Sequence, residues 1–245
     1  MKIVVLGAGY VGLVAAACLA DSGHDIVCVE SDPMRLGALM NGVSPIKEEG
    51  INELLTAHIT DGSLRFTGEL PDPLDADVVF VAVGTPCLTT GATDMSQVAA
   101  AAAQIADAVE HPLVVAMKST VPPGTGLRLS RRFFQDKPIA YVSNPEFLRE
   151  GQAVWDWQNP SRVVIGATDE SAATTVAQLY DDMDTPVVVT DVTSAEAIKY
   201  AANAFLVTKI SFINEIASLC EVVGAHIDDV ARGIGLDPRI GPDFL

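Results

Sequence analysis

Three glycines and one acid near the amino terminus are spaced to hold a dinucleotide. Gly7-Ala8-Gly9-Tyr10-Val11-Gly12 follows the apolar run Ile3-Val4-Val5-Leu6, and Glu30 ends the next apolar run, 18 residues after Gly12. Gly7 permits a tight turn from strand to helix. Gly9 lets backbone approach a pyrophosphate, and Gly12 lets the helix pack closely on the strand. With Tyr10 and Val11 opening the helix, the pyrophosphate would sit on free N–H groups at the positive end of its dipole. A carboxylate at Glu30 accepts hydrogen bonds from a ribose 2′-OH and repels a 2′-phosphate, which favours NAD over NADP. Arg35 is close enough to join that set and to complicate the preference.

A second group follows later strands. Thr85 comes after one apolar run and Thr120 after the next. Glu146 and Glu150 come after a third, in Pro145-Glu146-Phe147-Leu148-Arg149-Glu150-Gly151. In an open parallel sheet, ligands bind at the carboxyl ends of the strands. Singly, a Thr there is a helix cap and a Glu is solvated; together they would face one crevice with the pyrophosphate. Lys199 and Asn203 stand at i and i+4 of a helical pattern, so they share a face, with Asn214 on it 11 residues past Asn203. A cation and an amide in a mostly apolar helix fit a buried polar network or a snorkelling lysine. They also fit a pair that holds a substrate oxyanion.

The elements that must position these residues alternate. Strands are expected at 2–6, 25–29, 64–67, 77–83, 113–117, 139–143, 163–165 and 187–189. Helices are expected at 10–21, 33–41, 52–59, 96–109, 125–134 and 171–182. That order predicts an α/β chain with a Rossmann-like, doubly wound parallel sheet over 1–191, the NAD-binding domain. Thr193-Ser194-Ala195-Glu196 reads as a capping box. A pattern free of Gly and Pro then runs to Val223, about 45 Å of helix. A helix this long usually joins two domains or builds a dimer, so residues 192–245 are expected to form this long connecting helix, a short helix at 227–234 and the start of a further domain, read as a dimerisation domain.

Composition narrows the partners. The chain has 245 residues, 49% hydrophobic, with net charge −17 and pI near 4.4. Such acidity argues against nucleic acid and anionic membranes, and reads as a solvated acidic surface. Cys18, Cys28, Cys87 and Cys220 are widely spaced without a CxxC pair, which suggests a reduced, cytoplasmic protein with no metal site. A strand beginning at Lys2 leaves no space for a signal peptide, and no apolar run reaches membrane-spanning length.

Taken in order, the glycine turn, Val83-Gly84-Thr85-Pro86, Lys118-Ser119-Thr120, Asn144-Pro145-Glu146-Phe147-Leu148-Arg149-Glu150, Glu196-x-x-Lys199-x-x-x-Asn203 and Asp237-Pro238-Arg239-Ile240-Gly241 resemble the UDP-glucose 6-dehydrogenases. The resemblance covers the whole chain. The segment at 145–150 is highly specific to nucleotide-sugar dehydrogenases, and the one at 237–241 looks like their UDP-glucose branch. It implies oxidation of UDP-glucose to UDP-glucuronate by two hydride transfers to NAD. It places Glu30, Thr85, Thr120 and Glu150 on the cofactor side. Glu146, Phe147, Leu148, Arg149, Lys199 and Asn203 would line the sugar-nucleotide side. Thr120 and Glu150 would hold a catalytic water, Glu146 would assist proton transfer, and Lys199 and Asn203 would stabilise the oxyanion. Arg239 would reach into the site of a partner subunit, implying a homodimer through the 193–223 helix, and Phe244 would lie near the sugar nucleotide.

The same resemblance implies a nucleophilic cysteine in a GxGxGGxCxxKD segment beyond Leu245, together with a second, UDP-binding domain. Cys18 and Cys28 read as core, and Cys220 lies about four turns past Asn203. Cys87 alone could come near the cofactor, but no motif places a nucleophile there. The 245 residues are thus expected to bind NAD and dimerise, with an incomplete UDP-glucose site and no turnover. The competing readings are a GDP-mannose or UDP-N-acetylmannosamine dehydrogenase, a β-hydroxyacid dehydrogenase of the 6-phosphogluconate type, which lacks the 145–150 segment, and a non-catalytic NAD-binding module.

Overall fold

The computed structural model describes residues 1–245, which form two compact units, Met1–Ala197 and Ile198–Leu245. The first holds a sheet of eight strands: β1 (Lys2–Leu6), β2 (Asp25–Val29), β3 (Leu64–Thr67), β4 (Val78–Val81), β5 (Leu113–Met117), β6 (Ile139–Ser143), β7 (Val163–Ala167) and β8 (Val187–Thr190). Their order is β3-β2-β1-β4-β5-β6-β7-β8. Between them run α1 (Tyr10–Asp21), α2 (Pro33–Met40), α3 (Ile51–Asp61), α4 (Ser96–Ala108), α5 (Thr125–Leu129), α6 (Ala153–Gln158) and α7 (Glu170–Ala177).

Both faces of the sheet are covered, as apolar strands flanked by helices require. The period-2 alternation of β1 shows it directly. Ile3 and Val5 join a core with α1, α3 and α7, while Val4 and Leu6 join another with α4.

The first six strands are parallel and share one register row. Thr67 pairs with Val29, Val29 with Leu6, Leu6 with Val81, Val81 with Met117, and Met117 with Ser143. That row is the carboxyl edge from which the candidate loops leave.

The sheet is the expected Rossmann-like, mostly parallel one, with one departure at its far edge. β7 runs antiparallel to β6, and β8 is parallel to β7. Only Val142–Ala167 and Ser143–Gly166 pair, so β7 projects past the carboxyl end of β6. The only helix in this connection is α6, with six residues, about 9 Å of rise. Retracing a five-residue strand takes about 16 Å. The chain therefore turns back at the carboxyl edge instead of crossing over.

The long helix α8 spans Val192–Val223 and ends at Gly224, whose φ of 77° turns the chain so that the Ala225 N–H reaches the Cys220 carbonyl at 3.0 Å. Its start corrects the capping-box reading. Asp191 is the cap: its carboxylate accepts the Ser194 N–H at 2.9 Å and the Ser194 hydroxyl at 2.6 Å. These bonds hold the Asp191 carboxyl below its ordinary range. Glu196 is turned elsewhere. It is buried and accepts the Gly124 N–H at 2.5 Å and the Gly126 N–H at 2.7 Å, at the start of α5. No helix is long and apolar enough to cross a membrane.

Candidate functional site

The glycine turn has the geometry its spacing predicts. Gly7 has a φ of +96°, and a Cβ there would stand 2.8 Å from the Ala82 carbonyl oxygen. A Cβ on Gly12 would stand 1.8 Å from the Gly7 oxygen. Gly9 differs: a Cβ there would meet nothing within 4 Å. It caps α1 without offering a side-chain acceptor, so the first-turn N–H groups at Tyr10 and Val11 face an open cradle at the positive end of the helix. That cradle fits a pyrophosphate.

Glu30 follows β2 immediately and is buried. One oxygen accepts the Asp32 N–H at 2.9 Å. The other lies 3.8 Å from the half-exposed Arg35 guanidinium, beyond hydrogen-bond reach and so open to a ribose hydroxyl.

The register row locates the rest. Gly7 and Glu30 are the first residues past it on β1 and β2. Lys118 and Asn144 are first past it on β5 and β6, and Thr120 and Glu146 are third. Sequence reasoning missed how those ends are tied. The Ser119 hydroxyl donates to the Val83 oxygen at 2.6 Å, joining the loops that carry Thr85 and Thr120. Asn144 accepts from the Lys118 ammonium at 3.2 Å and from the Tyr180 hydroxyl at 2.7 Å, and donates to the Val164 oxygen at 2.9 Å. Lys118 also lies over the Phe80, Trp157 and Tyr180 rings, 5.1–5.7 Å from their centroids. A buried polar residue right after an apolar strand was the available signal; its partners are too distant in sequence to read.

The 145–150 segment is held by its own side chains. Glu146 accepts the Leu148 N–H at 2.6 Å, and the Arg162 guanidinium stacks 3.5 Å from the Phe147 ring centroid. Leu148 packs against the core. Arg149 makes a bidentate pair with Asp156, at 2.6 and 3.0 Å. Glu150 is exposed. Of the thiols, Cys18 and Cys28 are core groups whose pKa burial raises, to about 12 for Cys18; Cys87 is exposed on the loop after β4.

In the second unit, α8 continues and is followed by α9 (Ile227–Gly235). Lys199 is buried, whereas Asn203 and Asn214 are exposed, so the shared helical face does not give a shared environment. The Lys209 ammonium donates to the Ile240 oxygen at 2.9 Å and fastens the 237–241 segment to α8. Arg239 pairs with Asp237 at 2.7 Å and is largely exposed; Phe244 has a φ of 66°. Cys220 is buried.

A parallel sheet with this glycine turn and an acid closing its second strand defines a Rossmann-type dinucleotide-binding protein. The chain belongs to the UDP-glucose/GDP-mannose dehydrogenase family. Residues 1–184 match the NAD binding domain of that family and residues 193–245 its central domain, so the cofactor of the first unit is NAD. A UDP-glucose 6-dehydrogenase of Rhizobium meliloti is 49% identical over 255 residues, covering all of this chain and 58% of that protein. The UDP-glucose 6-dehydrogenase TuaD of Bacillus subtilis is 47% identical over 249 residues, covering all of this chain and 54% of that one. The solved UDP-glucose dehydrogenase of Pyrobaculum islandicum superposes with a TM-score of 0.92 at 38% identity, covering 99% of this chain and 58% of the other. This chain therefore spans somewhat over half the length of the curated relatives it matches.

Proposed function

We propose that this chain supplies the NAD-binding domain and part of the sugar-nucleotide site of an enzyme that oxidises UDP-glucose to UDP-glucuronate. What carries the reading is the common carboxyl edge: the glycine turn, Glu30, Thr85, Thr120 and the 145–150 segment leave neighbouring parallel strands on one side. UDP-glucose is the substrate we favour because the relatives at 49% and 47% identity carry it in their names, against 32% for a solved GDP-mannose dehydrogenase of Pseudomonas aeruginosa. NAD would supply the hydride acceptor at this site, two NAD being consumed for each UDP-glucose oxidised at C6, and one water would supply the second carboxylate oxygen.

Each role then falls to a named group. The N–H groups of Tyr10 and Val11 bind the pyrophosphate, Glu30 binds the ribose hydroxyls with Arg35 beside it, and Thr85 completes the cofactor side. Thr120 and Glu150 hold the water. Glu146 takes a proton in the hydrolytic step. Lys199 and Asn203 hold the oxyanion that develops at C6. Phe147, Leu148, Arg149, Phe244 and a partner's copy of Arg239 contact the sugar nucleotide.

Carrying the aldehyde on to the acid calls for a nucleophile. Two of the four thiols lie in the core of the first unit, one is buried in the second, and Cys87 lies on an exposed loop. Buried neutral thiols are inert. Residues 1–245 alone are thus expected to bind NAD saturably, seen by calorimetry, without sustained NADH formation from UDP-glucose, seen by absorbance. Sustained turnover would sink this reading. NAD binding with no hydride transfer, even from an aldehyde substrate, would favour a non-catalytic NAD-binding module.

The second unit fits a homodimer. Phe205, Phe212 and Leu219 on α8 are each more than half exposed and recur every seven residues, an apolar seam suited to a second copy. The four cysteines are all free, which suits the cytoplasm. Light scattering is expected to give a dimer mass for the parent chain and a monomer mass for Phe212→Glu. A parent chain that is monomeric at micromolar concentration would refute the seam.

A further inference from the structure

Glu48 lies on the connection between α2 and α3, outside every motif assigned above, yet it is only 8% exposed. A carboxylate buried on a loop must find partners to offset its desolvation. Glu48 finds three. One oxygen accepts the Ala153 N–H at 2.7 Å. The other accepts the Gly151 N–H at 2.5 Å and the Tyr10 hydroxyl proton. The Gly151 N–H also lies 2.9 Å from that hydroxyl, which is 3.1 Å from the Arg149 oxygen. Gly151 turns the chain with a φ of +86°, a conformation glycine takes readily, and so delivers its N–H into this cluster.

The three partners belong to two different parts of the candidate site. Tyr10 is the first residue of α1, directly after Gly9. Gly151 directly follows Glu150, and Ala153 opens α6. Hydrogen bonds to a carboxylate are short and about twice as strong as neutral ones. One side chain therefore ties the helix start that receives the pyrophosphate to the loop that presents Glu150.

We infer that Glu48 is a positioning residue that couples cofactor binding at the glycine turn to the placement of Glu150. This rests on the proposed NAD site and on the role given there to Glu150. The coupling runs from the Tyr10 backbone through its side chain to Glu48, and from Glu48 through two amides to the loop.

The chain carries its own reporter. Its only two tryptophans, Trp155 and Trp157, lie on α6, two and four residues after Ala153. In Glu48→Gln, an amide NH2 faces one of the two backbone donors. Without NAD, hydrogen exchange at Gly151 and Ala153 is expected to be about tenfold or more faster in Glu48→Gln than in the parent, the loss of a charge-assisted bond, with α4 amides unchanged. On adding NAD, the parent is expected to change its tryptophan emission, and Glu48→Gln to lose that change and bind several-fold more weakly. Tyr10→Phe is a second variant that removes only the hydroxyl. It is expected to lose the NAD-induced emission change while Ala153 stays protected. Unchanged protection at both amides in Glu48→Gln would overturn the positioning role, and an undiminished NAD-induced change in both variants would overturn the coupling. A parent chain that fails to bind NAD would overturn the proposed function, and with it the coupling. The exchange comparison without NAD would still decide separately whether Glu48 holds the loop.

Discussion

Gly9→Ala is expected to melt with the parent chain and bind NAD about a hundredfold more weakly, whereas Gly12→Ala is expected to unfold the first unit early. Gly9 has φ −73° and ψ −166°, extended backbone that alanine also adopts. Its added methyl meets no protein atom within 4 Å. Alanine is the poorer helix cap by up to about 1 kcal/mol. Restricting the unfolded chain returns about 0.4–1 kcal/mol, so stability barely moves. The methyl instead fills the space through which backbone approaches the pyrophosphate. A hundredfold loss corresponds to about 2.7 kcal/mol. At Gly12 the methyl would stand 1.8 Å from the Gly7 oxygen and 3.0 Å from its carbon. Both belong to backbone of the same turn, so no side chain can swing aside. Overpacking costs about 1–3 kcal/mol in forgiving cores. A backbone clash belongs at or above the top of that range, about 6–12 °C in melting temperature for a chain of this size. Melting by circular dichroism and NAD titration by calorimetry separate the two effects. Parent-like affinity in Gly9→Ala would remove the pyrophosphate from the cradle, and parent-like melting in Gly12→Ala would contradict the packing.

Those glycines were legible in sequence because their physics is local: a turn, a cap and a close approach all act within six residues. The candidate loops were legible for a related reason. Apolar runs end where strands end, and Thr120 and Glu146 follow two such ends at the same offset. Strand direction has no such signature. Nothing in Val163 or its neighbours says that β7 reverses; the short α6 and the two-residue overlap with β6 decide it. Buried acids were the hardest to read. Glu48 bonds amides 103 and 105 residues away. Glu196 satisfies the spacing of a capping box, yet its carboxylate goes to α5 while Asp191 caps α8. Local spacing offered Glu196 one use, and tertiary packing supplied a stronger one.

That second use makes Glu196→Ala the substitution with the largest expected effect on stability. Glu196 is 2% exposed, and its carboxylate accepts both the Gly124 and Gly126 N–H groups. Removing it orphans two donors in a site packed by Tyr141 and Val192. At about 1–3 kcal/mol for each unsatisfied group, the loss is roughly 2–6 kcal/mol. The loop that begins at Thr120 leads into these glycines, so NAD-dependent protection there should fall as well. Glu196→Gln separates charge from shape. Burial pushes the Glu196 carboxyl above its ordinary 4.5, against the pull of its backbone donors and Arg128. A carboxyl raised on folding adds stability that is complete below the unfolded value and is lost as pH rises through the folded one. The amide does not titrate. The advantage of the parent chain over Glu196→Gln is therefore expected to be greatest below pH 4.5 and to shrink as pH rises above it. Thermal melts of both chains across that interval read the difference directly, since their other acids cancel. A gap that widens with pH would mean that the two N–H donors, not burial, dominate the site.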